Sequence, residues 1–436
     1  MKTGPADMLQ RVGLGTARLR EKILPPAAVT WFSRPSSVWW GFAAVHVYFM
    51  GWMMSFVIHG EAFSDTEQYR EWAVNGFDPD QGHSAISPWV YPALAQLPIY
   101  FANIAGPGLY LVVWTLMITA LNAAALAYLI RGGKRPEGVA PAWWWLVFTV
   151  FMGYLSFARV EGITAPIVMI ALLFAARRPV VATVLLSIAT WIKVWPAAVL
   201  LPILIASRER VKIIGAGIAV SAAVVVGTLW AGGIGHLFDF LTNQGERGMQ
   251  LEATFSTPWL WLSVLNVGGA KIADNVAINS SEVYGFGVST AAVLMQPLFL
   301  GAVAAGAALL IWALSRGAER EELFLEGALM MTAAFIVFNK VGSPQFIIWL
   351  APVVVAGLTH DWQRWRVPGA LLMAIAALTF VIYPLFYTPL IHGNPLIAAV
   401  LTARNVLLVV LLYWSVRRTV ELASRNGRTV ISGDAL

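Results

Sequence analysis

One carboxylate stands out among the residues able to do chemistry. Asp65 lies in Phe63-Ser-Asp-Thr-Glu-Gln-Tyr69, just past the first long apolar stretch of a chain in which charge is scarce. An ionised aspartate at a membrane surface can act as general base toward a hydroxyl. A helix N-terminus at that point would lower its pKa and keep it charged. The same residues also fit a capping box, with Ser64 as N-cap, Glu67 reaching back and Asp65 merely favouring the helix N-terminus. A second set is cationic: Arg159 in Arg159-Val-Glu161, Lys193, Lys340 in Asn339-Lys-Val-Gly-Ser-Pro-Gln345, and Arg404 inside the last apolar stretch. A cation at membrane depth is costly and marks a functional or paired position. Lys340 and Arg404 read as functional, Arg70 and Lys271 as ordinary surface charges. Fixed cations of this kind stabilise a departing phosphate; their plainer role is snorkelling to headgroups or pairing with Glu161, Glu246 or Glu252. The histidines form no HExxH and no pair at helical spacing, and neither a phosphate-binding glycine loop nor a dinucleotide fingerprint is present. No metal and no cofactor is expected.

The elements that must position these residues are membrane helices. The chain has 436 residues, 58% of them hydrophobic and 12% charged. Soluble domains carry about twice that charged fraction, and the mean hydropathy is +0.70. A span needs roughly 20 apolar residues, and apolar stretches fall at about 38–58, 107–130, 140–157, 163–176, 179–192, 194–206, 213–231, 289–314, 323–338, 345–358, 368–388 and 396–414. The fold class is therefore an all-α polytopic membrane protein of about 12 transmembrane helices. Lys193 and Pro196 interrupt 179–206, which reads equally as a tight hairpin or one broken helix. With the N-terminus inside, 22 of the 29 Lys and Arg lie in inner segments, as the positive-inside rule requires. That divides the chain into a basic, weakly amphipathic cytoplasmic segment (1–37), a transmembrane body (38–414) and a cytoplasmic tail (415–436). The long loops at about 59–106 and 232–288 then face outward. The first reads as two short interfacial helices joined by a polar turn at 76–82. Trp39, Trp40, Trp143, Trp144 and Trp145 read as an interfacial belt. With no cysteine there is no disulfide and no thiolate chemistry. The net charge of +6 is accounted for by topology, so nucleic acid is not an expected partner.

Asp65, Tyr91-Pro92, Lys193-Val-Trp-Pro196, Gln250-Leu-Glu252, Asn339-Lys-Val-Gly-Ser-Pro-Gln345 and Arg404-Asn405 together resemble glycosyltransferase family 87 over roughly residues 60–410. The Asn-Lys-Val-x-Ser-Pro-Gln run is the most specific part. The resemblance implies a GT-C fold in the plasma membrane, with an active site on the extracytoplasmic side. It implies transfer of mannose from polyprenyl-phosphate-mannose to a glycolipid of the phosphatidylinositol mannoside or lipomannan type, as in the actinobacterial members. Inversion would give an α-(1,2) linkage. In that scheme Asp65 is the base and Lys340, Arg404, Lys193 and Arg159 hold the donor phosphate. His59, Glu67, Tyr69, Tyr91, Gln250, Glu252 and Gln345 line the substrate path, and the protein acts as a monomer. Two other readings stand beside it: an arabinofuranosyltransferase with a decaprenyl-phosphate donor, and a lipid or solute transporter. Against a transporter, charges within spans are few and no inverted repeat is visible.

The topology is directly testable in this cysteine-free chain. Asp80→Cys and Asn275→Cys should react with an impermeant thiol reagent from the extracytoplasmic side. Labelling of either only from the cytoplasm would overturn the orientation.

Overall fold

The computed structural model describes residues 25–75, 90–131, 134–232, 235, 237–242, 248–275 and 280–433. Most of the basic N-terminal segment and the expected turn at 76–82 lie outside the described residues. The helices are α1 Pro26–Phe32, α2 Pro35–Ile58, α3 Asp65–Asn75, α4 Gln96–Phe101, α5 Tyr110–Ile130, α6 Val139–Met152, α7 Glu161–Ala175, α8 Pro179–Ile192, α9 Ala197–Ala206 and α10 Arg210–Trp230. After them come α11 Asp239–Thr242, α12 Thr257–Val264, strands β1 Lys271–Asn275 and β2 Ser280–Tyr284, then α13 Val288–Ser315, α14 Arg320–Val337, α15 Ala351–His360, α16 Trp362–Phe380, α17 Tyr387–Ile391 and α18 Pro395–Gly433.

Among the described residues, 7 helices are long and apolar enough to cross a membrane: Pro35–Ile58, Pro107–Ile130, Pro136–Ser156, Arg210–Trp230, Val288–Ser315, Trp362–Leu385 and Pro395–Ser424. Glu161–Ala175, Pro179–Ile192, Ala197–Ala206 and Pro344–His360 are apolar but shorter. Length follows position in the bundle. The best windows of α2, α10 and α13 are only 17%, 11% and 17% buried, so their apolar side chains form the outer surface and must match hydrocarbon. α7 and α14 are buried on nearly every face and are shielded by neighbours, so they can be short or carry charge. α14 holds Glu321, Glu322 and Glu326 and starts on an N-cap: the Glu319 carboxylate accepts the Glu321 and Glu322 N–H groups at 3.0 and 2.7 Å.

The segment 179–206 is a hairpin. Lys193 takes extended backbone (φ −151°, ψ 136°), because the Pro196 that follows cannot continue the helix. At that end the Lys193 Nζ lies 3.3 Å from Glu161. At the other end Arg320 donates to the Ala206 carbonyl, and Arg177, beyond α7, is electrostatically coupled to Glu321. α8 and α9 therefore run in opposite directions between these two ends.

The tryptophan belt is only partly a belt. Trp40 is exposed, but Trp145 is buried and donates to Asn122 at 2.9 Å, and Trp144 donates to the Gly369 carbonyl at 3.2 Å. Trp143 packs on Phe32. These indoles hold α6 against its neighbours, since an N–H inside the bundle needs a partner.

One unit departs from the helical expectation. β1 and β2 pair antiparallel, with Lys271 opposite Tyr284. The segment Met249-Gln250-Leu251 extends the ladder: Leu251 N–H bonds the Ser281 carbonyl at 2.9 Å and Val283 N–H the Met249 carbonyl at 3.0 Å. α12, which packs on β1, ties this small sheet to α18: Trp261 donates to Thr402 at 2.9 Å and Asn405 donates to Thr257 at 3.1 Å.

Close approach limits substitution at α15 against α16. A Cβ on Gly357 would lie 2.0 Å from the Trp365 ring, so Gly357→Ala should cost about 1–3 kcal/mol and lower the melting temperature in detergent. Gly51, with nothing within 4 Å, should accept Ala without loss.

Candidate active site

The Asp65 carboxylate begins α3, and the loop before it is closed by its neighbours. Ser64 has φ 58°, a left-handed conformation that does not serve as the N-cap of a capping box. The Thr66 hydroxyl accepts the Phe63 N–H at 3.1 Å. Glu67 accepts the Ala62 N–H at 2.8 Å and pairs with Arg70 at 2.5 Å, while Arg70 donates to the Gly60 carbonyl at 2.8 Å. Glu67 thus reaches past the expected cap position, and Asp65 is released from capping.

Asp65 instead forms an ion pair with Arg159, Nη1 to Oδ2. Arg159 comes from the tight turn between α6 and α7, where Gly153 supplies φ 58° and Gly162 packs so closely on the Ser156 carbonyl that a Cβ would sit 2.4 Å away. Tyr69, one turn along α3, points its hydroxyl at the same Oδ2 at 3.5 Å and lies 3.0 Å from the Tyr91 hydroxyl. Burial pushes the Tyr69 phenol well above its ordinary pKa, which keeps it a hydrogen-bond donor. Lys193 stands 4.4 Å over the Tyr91 ring and pairs with Glu161, which also accepts the Trp349 indole N–H at 3.4 Å. Asp65, Tyr69, Tyr91, Arg159 and Lys193 therefore form one group, with Glu161 as the buried counter-charge.

A second group is built on the bridge-and-turn segment 250–252, where Gln250 makes an antiparallel bridge with Glu282. Gln250 N–H bonds the Lys340 carbonyl at 3.0 Å. Its side-chain oxygen accepts from Gly342 N–H at 3.0 Å and the Ser343 hydroxyl at 3.2 Å. Gly342 has no room for a Cβ, which would fall 2.3 Å from the Ala253 nitrogen. Arg404 donates from Nη2 to the Glu252 carbonyl at 2.5 Å. Glu252 is buried, bonded to Tyr387 and Gln250, and burial raises its pKa against the pull of Arg404.

Two tyrosines join the groups. Tyr383 interacts electrostatically with both Arg159 and Tyr154, and its ring meets Tyr387 edge-on at 5.2 Å. Tyr387 bonds Glu252 and Ser281. A chain of contacts thus runs Asp65, Arg159, Tyr383, Tyr387, Glu252, Arg404, polar at both ends and joined by the Tyr383–Tyr387 ring contact. Tyr154, Tyr383 and Tyr387 were not singled out from the sequence. The available signal was Tyr383-Pro-Leu-Phe-Tyr387, two polar-tipped aromatics bracketing a proline at the end of an apolar span. Three residues do not join the path. His59 is exposed and bonds the Ser55 carbonyl of its own helix at 2.6 Å, Glu67 is spent on the loop, and Gln345 is half-buried in the turn Pro344–Leu350.

A family model for glycosyltransferase family 87 matches residues 89–338. The chain belongs to glycosyltransferase family 87. No curated protein and no solved structure matches it. The matched stretch of this family 87 glycosyltransferase contains Tyr91, Arg159, Lys193, Gln250 and Glu252, while Asp65, Lys340 and Arg404 lie outside it and are tied to it by the contacts above. A carboxylate held by a buried guanidinium, beside several cations and phenols, suits proton removal from a hydroxyl and stabilisation of an anionic leaving group.

Tyr383→Phe tests the bridge. It removes the hydroxyl that steadies Arg159 and keeps the ring. A hydrogen bond to a charged group is worth about 1.5–3 kcal/mol, so kcat should fall by roughly tenfold or more while the melting temperature holds. An unchanged kcat would leave Tyr383 a packing residue.

Proposed function

We propose that this family 87 enzyme transfers mannose from polyprenyl-phosphate-mannose to a hydroxyl of a phosphatidylinositol mannoside or lipomannan-type glycolipid. Transfer proceeds with inversion to an α-(1,2) linkage at the extracytoplasmic face. The observation that carries this reading is the Asp65 carboxylate, partly open at 29% side-chain exposure and paired with an 11%-exposed Arg159. The guanidinium balances the charge of the carboxylate. Both contacts use Oδ2, leaving Oδ1 for the proton of an incoming acceptor hydroxyl. The acceptor oxygen attacks the anomeric carbon as the bond from that carbon to the phosphate oxygen breaks. Polyprenyl phosphate leaves as an anion and needs no acid.

On the donor side Lys340 and Arg404 both meet the segment 250–252, and Lys340 serves the phosphate as a point charge. Lys193 and Arg159 belong to the base side, where Glu161 and Asp65 already balance them, and they contribute to the phosphate through the shared field. Sidedness is supported by the opposite end of the bundle, which gathers Arg135, Arg177, Arg320, Arg364 and Arg366 from short loops and helix ends.

The test is transfer by purified enzyme with the mannosyl lipid donor. Asp65→Asn should lower the rate at least ~10²-fold with an unchanged melt, and Glu67→Gln should be much milder. Lys340→Ala should raise the donor KM without lowering the melting temperature. Near-normal transfer by folded Asp65→Asn would remove it as base, and use of a decaprenyl-phosphate arabinose donor in place of the mannosyl lipid would overturn the sugar assignment.

A further inference from the structure

Glu252 and Arg404 are 4% and 2% exposed, and each leaves one buried polar atom without a partner: Oε2 of Glu252 and Nε of Arg404. Both residues line one small cavity together with Tyr383, Thr379, Pro344 and Leu401. An unsatisfied buried polar atom costs about 1–3 kcal/mol, so an open acceptor and an open donor on two residues that line the same cavity point to a guest that pairs with both. The two charged groups attract each other across the space without a direct ion pair, the arrangement in which a small bridging group is to be sought.

The chemistry of the lining selects the guest. A hydroxyl both donates and accepts, so it can give its proton to Glu252 Oε2 and take one from Arg404 Nε–H. A phosphate has no proton to offer at neutral charge balance and would meet the carboxylate as a like charge. Tyr383, which lines this cavity, also interacts with Arg159, the partner of Asp65. We propose that the Glu252–Arg404 cavity seats one hydroxyl of the donor sugar and so fixes the ring for attack, while the phosphate is held elsewhere. This rests on the function proposed above and narrows it: Arg404 reads the sugar, and Lys340 faces the phosphate.

The experiment measures equilibrium binding to full-length protein carrying Asp65→Asn, which retains donor without turnover. The probes are polyprenyl-phosphate-mannose, its 2-, 3-, 4- and 6-deoxy analogues, and polyprenyl phosphate as sugar-free control. One deoxy analogue should bind about 10–150-fold more weakly than the parent, the range of a hydrogen bond to a charged group. Adding Arg404→Lys, which keeps the charge and removes Nε–H, or Glu252→Gln should shrink that difference to within about 3-fold. Neither change should alter polyprenyl phosphate binding by more than the same small factor. Discrimination that survives in both variants overturns the proposal. So does an Arg404→Lys loss that is equal for polyprenyl phosphate and the sugar lipid, which would return Arg404 to the phosphate. If the sugar lipids bind no better than polyprenyl phosphate, the donor reading falls too. If they bind better and Asp65→Asn abolishes transfer, a failure concerns this cavity alone.

Discussion

A guanidinium buried at the end of a helical bundle needs its charge balanced on the spot, and that requirement organises this protein around Arg159. Isolated in a low-dielectric interior the charge would cost several kcal/mol. Asp65 supplies the balancing carboxylate, Glu161 adds a second field, and the Tyr383 hydroxyl takes a remaining donor. Each partner comes from a different part of the chain, so satisfying one side chain fixes α3, the α6–α7 turn and the end of α16 relative to one another. The small-residue packing at Gly153 and Gly162 lets that turn press close enough to deliver the guanidinium.

The same constraint explains how the polar layer divides. Lys193 has Glu161, Arg159 has Asp65, and Arg404 has the carbonyl of Glu252 with its carboxylate nearby. Cations that look alike in sequence therefore face different work, because each carries a different counter-charge. Phenols fill the gaps between the pairs. Tyr69, Tyr91, Tyr383 and Tyr387 bring hydrogen-bonding capacity without net charge, and their rings pack where a carboxylate or amine would be expensive to desolvate.

Helix length and burial divide along similar lines. Helices at the periphery carry long apolar runs because hydrocarbon is their solvent. Helices inside the bundle are relieved of that demand by their neighbours and can stop early, break at Pro196, or tolerate glutamates as α14 does. The short interior helices leave room at the Asp65 end for the polar layer. The small sheet of residues 249–251 with β1 and β2 meets the loop at Lys340, its backbone satisfied by its own ladder.

Much of this was readable in the chain itself. The apolar stretches all became helices, and the scarcity of charge singled out Asp65, Arg159, Lys193, Lys340 and Arg404, because hydropathy and charge density are local quantities set by composition. Sequence also pointed to Gln250 and Glu252 through the motif they belong to. It left a capping box open at the start of α3, which the left-handed Ser64 does not form, and it misread the role of Trp144 and Trp145, whose indoles turn inward to partners on other helices. Only the tertiary structure could pair Asp65 with Arg159, bring Arg404 to a carbonyl 152 residues away, or recruit Tyr383 and Tyr387. Residue type says which hydrogen bonds and charges a side chain can form. Which partner it meets depends on how helices distant in sequence pack, and that packing is decided by the whole bundle at once.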